Sequence, residues 1–274
     1  MSPETDAAQA VATEAEIAVL RAAVAEAGEV VMRYFGQDPQ TWEKPGEGPV
    51  SEADLAANDV LQARLCGAFP GHGWLSEESA DDPARLSRDR VWIVDPIDGT
   101  RAFIAGRAEF TVCAALAVGG VVVAGAVLNP AREEFFFAAR GQGATLNDAP
   151  LIVDRCPIFA EANILSTKGV LSSSRWVGSA PGGRHGYVNS IAYRVCKVTT
   201  ERWDVTVVTG TFSEWDLAAA QIVMEEAGGR VTGRSGAPIR YNAATPKIAG
   251  LIAAGDPLHG EVVARLLLPD PAGQ

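Results

Sequence analysis

The chain has 274 residues, of which 47% are hydrophobic and 21% charged, and its formal net charge is −11. That composition fits one folded unit or two closely joined halves and excludes a disordered chain, while the acidic balance excludes nucleic acid polymers and anionic membranes as partners of a basic surface. There is no run of the ~20 apolar residues needed to span a bilayer, no basic-then-apolar signal segment at the start, and Cys66, Cys113, Cys156 and Cys196 lie too far apart for a zinc or disulfide framework, so a cytoplasmic protein is expected.

Thr13-Glu14-Ala15-Glu16 reads as a capping box. Ile17, Leu20, Val24, Ala27, Val31 and Tyr34 then recur at steps of three and four, one apolar face of a long helix that Gly36 and the region 39–49 break. Ser51-Glu52-Ala53-Asp54 starts a second helix, continued by Leu61 and Leu65 and ended by Pro70-Gly71-His72-Gly73. Strands are expected over 91–94, 110–118, 121–128 and 134–138, with hairpin turns at Gly119-Gly120 and around Gly141, Gly143 and Asn147-Asp148. The second half is less regular: a strand over 205–208, then a helix over 216–227, started by Asp216 and stopped by Gly228-Gly229. Helices first and strands later predict an α+β arrangement in layers rather than a regular βαβ alternation. The predicted halves are 1–150 and 151–274, with a seam near 150–157.

The most informative run is Val91-Trp92-Ile93-Val94-Asp95-Pro96-Ile97-Asp98-Gly99-Thr100, an apolar strand that ends in two carboxylates. A buried ionised carboxylate needs a charge partner or a metal. Hard cations such as Mg²⁺ take oxygen ligands of this kind, completed by waters and phosphate oxygens, so the run points to metal-assisted phosphate chemistry. Two more acidic motifs flank it, Leu75-Ser76-Glu77-Glu78-Ser79 and Glu214-Trp215-Asp216. Singly each has a plain explanation: a solvated loop for Glu77-Glu78, an N-cap for Asp216, Asx turns for Asp95 and Asp98, and a capping box for Asp54. The D-x-x-D spacing is not the D-x-D of haloacid-dehalogenase phosphatases with their aspartyl nucleophile, and Gly106 stands where an EF-hand loop needs Glu.

Taken in order, the three motifs resemble the inositol monophosphatase superfamily of lithium-sensitive, magnesium-dependent phosphatases. Asp95-Pro96-Ile97-Asp98-Gly99-Thr100 matches its central D-P-[IL]-D-G-[ST] motif. Trp215-Asp216-Leu217-Ala218-Ala219, with Glu226-Ala227-Gly228-Gly229 downstream, matches its second motif, and Glu77-Glu78 its upstream acidic pair. The resemblance implies a layered αβαβα sandwich and hydrolysis of a small phosphate monoester by metal-activated water. It implies two or three Mg²⁺ ions, with Mn²⁺ as the alternative, in a two-metal clamp. Asp95 would bridge two ions, Glu77 and the Ile97 carbonyl would complete one site, and Asp98 and Asp216 would hold the other. Gly99 and Thr100 would cradle a phosphate oxygen. Thr100 and Asp54, with Glu77, would orient the attacking water, and Ser190 would join Asp216 on the substrate side. A homodimer is implied by analogy. Lys44 is weighed between a place on a loop near the site and a solvated surface position.

Two departures from the animal inositol enzymes bear on the substrate. Thr209 stands seven residues before Asp216, where those enzymes carry Glu, and Asn189-Ser190 replaces their Gly-Ser or Gly-Thr pair. The segments around Glu77-Glu78, Asp81-Asp82, Arg85-Leu86, Asp89-Arg90 and Glu214-Trp215-Asp216 are instead similar to bacterial 3′(2′),5′-bisphosphate nucleotidases. That implies 3′-phosphoadenosine 5′-phosphate as the first substrate, inositol 1-phosphate as the second and histidinol phosphate as the third. Arg184, His185, Arg194 and Lys197 are candidates for a second anion, and Trp203 is either a base-stacking or a core residue. His72 and His259 receive no role. The rival reading, a non-catalytic metal-binding regulatory protein that kept the fold, is disfavoured because every expected carboxylate and Thr100 are present.

Overall fold

The capping box forms as expected: Glu16 N–H donates to Thr13 Oγ1 at 3.2 Å, and Thr13 N–H donates to Glu16 Oε2 at 2.7 Å. It opens helix α1 (Glu14–Tyr34) in the computed structural model of the chain, which describes residues 10–44, 48–153, 157–200 and 202–267. A short hairpin, β1 (Thr41–Lys44) and β2 (Gly48–Ser51), leads into helix α2 (Glu52–Ala68). Both helices lie on one face of a seven-stranded sheet in sequential order, β3 (Gly73–Ser76), β4 (Arg90–Asp98), β5 (Thr111–Val118), β6 (Val121–Asn129), β7 (Glu134–Ala139), β8 (Ala144–Leu146) and β9 (Ala149–Leu151). Only β3 and β4 run parallel, and the rest are antiparallel neighbours. The two-residue turns match their signals, with positive φ at Gly119 and Gly120 and at Asn147 and Asp148.

The two-residue period of the strands decides the layering. Trp92 and Val94 of β4, with Val112, Ala114 and Leu116 of β5, pack under α1 and α2. Val91 and Ile93, with Cys113, Ala115 and Ala117, face the other way, toward helices α4 (Ile191–Val198) and α5 (Ala218–Glu226). The central strands are therefore apolar on both faces. Beyond α4 and α5 lies a five-stranded sheet in the order β11 (His185–Gly186), β10 (Ile164–Leu165), β12 (Val205–Ser213), β14 (Lys247–Ala254), β13 (Arg230–Gly233). Its outer face carries helix α6 (Leu258–Arg265), with Leu258 and Val262 packed on Val205, Val207 and Ile252. A further short helix, α3 (Thr100–Ile104), follows β4. The arrangement is the αβαβα sandwich that the resemblance implies. No helix among the described residues is long and apolar enough to cross a membrane.

Two expectations need correction. The helix expected over 216–227 starts later, at Ala218, because Asp216 closes a 3₁₀ turn (Glu214–Asp216) and its carboxylate accepts the Ser213 N–H at 2.8 Å. The strand expected over 205–208 continues to Ser213 across a register shift between Val208 and Thr211. The expected seam near 150–157 includes 154–156, and these, with Cys156, lie outside the described residues.

Gly125 fixes how closely α5 seats on β6. A Cβ there would stand 2.5 Å from the Ala219 carbonyl oxygen and 2.6 Å from Ile222 Cγ2. Gly125→Ala is therefore expected to cost about 1–3 kcal/mol through overpacking, read as a lower urea midpoint. An unchanged midpoint would mean that α5 does not rest on this strand.

Candidate active site

The pairing of β4 with β5 slips between Asp95 and Asp98, which face Cys113 and Thr111 respectively. One extra residue on β4 makes a bulge, and a bulge re-aims side chains at the end of a strand. Asp95 is 1% exposed, and neither of its carboxylate oxygens has a hydrogen-bond partner. The parallel neighbour β3 delivers Glu77 beside it, with the Glu77 N–H donating to the Val94 carbonyl at 3.3 Å. Asp216 arrives from the second sheet on its 3₁₀ turn. Glu77, Asp95 and Asp216 each offer a carboxylate oxygen, and these oxygens lie within 4.8 Å of one another. The three face a cleft of about 220 Å³ that Asp98, Thr100 and Arg194 also line.

Burial raises all three carboxyl groups, and mutual repulsion adds to it. Asp95 is pushed well above the usual carboxylate range by burial, then by Glu77, Asp98 and Asp216. Glu77 is pushed up to about 8 by burial and the Asp216 charge, against the pull of Lys44. Asp216 rises to about 7 through burial and the Asp98 charge, opposed by its bond from Ser213 N–H. Buried acids with open oxygens are costly unless something positive binds between them. An all-oxygen donor set of this kind fits a hard divalent cation, and the two bare oxygens of Asp95 are where the fit is clearest.

Asp98 is placed differently from its neighbours. Its Oδ2 accepts from Ser190 Oγ–H and Ala192 N–H, both at 2.7 Å, and its Oδ1 accepts a longer contact of 3.3 Å from Ile191 N–H. It thus sits at the N-terminus of α4 and lines the cleft, outside the close group of three. Ser190, expected on the substrate side, is fully buried behind Asp98 and does not line the cleft. As the N-cap of α4 it accepts the Tyr193 N–H at 2.9 Å, so its hydroxyl is spent on holding Asp98 and the helix. Asn189 and Ile191 line the cleft in its place.

Asp54 fills two roles with two oxygens. Oδ2 closes the capping box of α2, accepting from Ser51 N–H at 2.8 Å and Ser51 Oγ–H at 2.6 Å. Oδ1 lies 3.1 Å from the Thr100 hydroxyl, which is also 3.0 Å from the Ile97 carbonyl oxygen. Burial raises the Asp54 carboxyl to about 6 against the Ser51 hydrogen bonds. Gly99, at φ 102°, caps α3, and a Cβ there would stand 2.9 Å from the Glu109 carbonyl oxygen, so the turn requires glycine.

Lys44 belongs to the site's rim, 2.9 Å from Glu78 Oε1 and 3.7 Å from Glu77 Oε1. Of the basic candidates only Arg194 reaches the cleft. It is 4% exposed, its Nε donates to the Ser190 carbonyl at 3.3 Å, and its Nη1 is buried with no partner. Lys197 pairs with Glu134 at 3.1 Å, His185 Nε2 contacts the Ser166 carbonyl at 2.8 Å, and Arg184 lines a separate surface hollow with Arg202. Trp203 is a core residue against Gly186. His72 meets Glu16 at 2.7 Å and His259 meets Thr232 at 3.0 Å, both away from the cleft. Tyr187, Pro49 and Arg101 also line the cleft. No local pattern marks Pro49 and Tyr187, because only the packing of β2 and the segment before α4 brings them there, whereas Arg101 follows Thr100 on α3 and its place beside the central motif was the available signal.

The family model for the inositol monophosphatase family matches residues 13–267. The chain is 34% identical over 238 residues to an inositol-1-monophosphatase of Mesorhizobium japonicum, covering 82% of this chain and 88% of that one. It is 33% identical over 247 residues to a histidinol-phosphatase of Mycobacterium tuberculosis, covering 86% and 91%. The crystal structure of the extragenic suppressor protein SuhB from Bartonella henselae matches the fold with a TM-score of 0.78 at 28% identity, over 92% of this chain and 98% of that one.

Proposed function

The chain belongs to the inositol monophosphatase family, and from that premise we propose that it hydrolyses a phosphate monoester at Glu77, Asp95 and Asp216 with Mg²⁺, on a substrate that carries a second anionic group. The observation that carries the first part is the buried Asp95 carboxylate, bare of hydrogen bonds between two other acids. Glu77, Asp95, Asp216 and the Ile97 carbonyl would hold the cations together with Asp98, which lines the same cleft and whose Oδ1 has only the long contact from Ile191 N–H. When bound, two or three Mg²⁺ ions, or Mn²⁺ in their place, supply charge stabilisation at the phosphoryl group and activation of the attacking water. The Thr100 hydroxyl has Asp54 Oδ1 at 3.1 Å and the Ile97 carbonyl oxygen at 3.0 Å as acceptors for its proton, so its oxygen lone pairs are left to accept a hydrogen bond from the attacking water. Asp54, ionised above about pH 6, keeps the Thr100 proton pointed away from that water. Gly99 lines the cleft at the turn that its φ of 102° makes possible, where a phosphate oxygen would meet the backbone.

Arg194 supports the second part. A buried guanidinium on the cleft wall, with the Asp98 and Asp216 charges near it and Nη1 still bare of hydrogen bonds, is suited to take a further anionic group of a substrate. Its place favours 3′-phosphoadenosine 5′-phosphate, the first choice, over inositol 1-phosphate and histidinol phosphate. The test is phosphate release with Mg²⁺ from all three, by kcat/KM, for the native chain and Arg194→Met. The native chain is expected to prefer the bisphosphate by about a hundredfold, roughly 2.7 kcal/mol, and Arg194→Met to lose most of that preference while inositol 1-phosphate turnover changes little. A native preference for inositol 1-phosphate, or an equal loss on all three substrates, would overturn the second-anion reading and leave the phosphatase reading standing.

A further inference from the structure

Two buried charged residues outside the cleft connect the two turns that carry Glu77 and Asp216. Arg85 is 2% exposed and lies on the 3₁₀ turn Pro83–Ser87. Its guanidinium forks onto Asp81, Nε to Oδ1 at 2.6 Å and Nη2 to Oδ2 at 2.9 Å. The rest of the group reaches across to the second half of the chain, Nη1 donating to Asn242 Oδ1 at 2.7 Å and Nη2 to the Ala243 carbonyl at 3.0 Å. Glu214, 1% exposed, grips the same two residues from the other side: Oε2 accepts the Asn242 N–H at 2.6 Å and Oε1 the Ala243 N–H at 2.9 Å. Asn242 itself is in the left-handed region, at φ 64°.

We propose that Arg85 and Glu214 are positioning residues that set the spacing between Glu77 and Asp216 through the Asn242-Ala243 turn they share. The path is short at both ends. Arg85 packs against Gly73, the first residue of β3, where an added Cβ would stand 3.1 Å from Arg85 Cβ, and β3 runs directly into Glu77. Glu214 opens the 3₁₀ turn that Asp216 closes. Neither side chain lines the cleft. Buried ions stabilise a fold little better than apolar packing of the same volume, and their well-attested use is to fix one register over others. Here the register is the approach of one half's carboxylate to the other's. Repulsion between Glu77 and Asp216 pushes the two turns apart, and the clamp opposes it.

The inference rests on the reading of Glu77, Asp95 and Asp216 as a cation site, so its test begins with Mn²⁺ binding to the native chain, followed by electron paramagnetic resonance. Absence of binding there would remove the cation reading and the clamp with it. Given native binding, Glu214→Gln and Asn242→Gly are compared at a temperature where circular dichroism shows both folded. Asn242→Gly removes only the side-chain link to Arg85, keeps both N–H donors to Glu214 and accepts φ 64° without strain, so it folds where a change at Arg85 could fail. Both variants are expected to weaken Mn²⁺ about tenfold and to raise the Mg²⁺ concentration for half-maximal activity in parallel. A lowered Tm with unchanged Mn²⁺ affinity in both would show that the network only stabilises the fold, and would overturn the proposal.

Discussion

Asp95→Asn is expected to lower kcat/KM by at least about a thousandfold, roughly 4 kcal/mol of transition-state stabilisation, and to leave the fold intact. The carboxylate is buried and its two oxygens bond to nothing in the protein, so no structural hydrogen bond is lost with the charge. Its neighbours are the Glu77 and Asp216 carboxylates, to which an asparagine amide can donate. The variant relieves repulsion in the metal-free protein while removing the group that lies between both halves of the cation site. Phosphate release and thermal unfolding, measured on the same preparation, check both parts. Turnover within tenfold of native, from a folded variant, would show that Asp95 does not hold the reacting centre together.

The second large effect is on the stability of metal-free protein. Glu77 is pushed up to about 8 and Asp216 to about 7 in the folded chain, against ordinary values of 4.5 and 3.8, and burial with the neighbouring charges also raises Asp95 well above its ordinary range. The folded chain therefore holds protons that the unfolded chain has released. That binding stabilises the fold fully below about pH 4 and is lost as pH rises through 7 and 8. Metal-free protein is expected to lose roughly 10 °C in Tm between pH 5 and pH 9, on the basis of about 1.4 kcal/mol for each pKa unit of displacement. Saturating Mg²⁺ at pH 9 is expected to restore the loss, because a ligand bound only by the folded state stabilises it by mass action. A Tm that is level with pH, or one that Mg²⁺ leaves unmoved at pH 9, would mean that these carboxylates are not held in unrelieved repulsion.

Much of the first half was legible in the sequence because its signals are local. The capping box at Thr13 and the three-and-four spacing after it required α1, and the glycine pair at 119 and 120 required the β5–β6 turn. The second half gave weaker signals. β10 and β11 are two residues each, too short for any periodicity to register. Asp216 reads as the start of a helix, yet it turns back to the Ser213 N–H. Chain order brought Asp95 and Asp98 together in one motif, but their division of labour depends on where the N-terminus of α4 lies in space. Ser190 is assigned to the substrate side through the resemblance, as the second residue of the pair Asn189-Ser190, and only the packing of α4 shows that its hydroxyl points inward. Arg194 could not be separated from Arg184 and Lys197 by sequence, since all three are basic residues within fourteen positions. Burial separates them, and burial is a property of the assembled layers.

The most direct test is phosphate release from 3′-phosphoadenosine 5′-phosphate after the protein has been stripped of divalent ions with a chelator, followed as Mg²⁺ is added back to the native chain and to Asp95→Asn. The expected result is no release in the chelator, a saturable return of turnover with Mg²⁺ in the native chain, and none in the variant. Turnover that persists in the chelator, or the same Mg²⁺ response in both proteins, would contradict a cation site built on Glu77, Asp95 and Asp216.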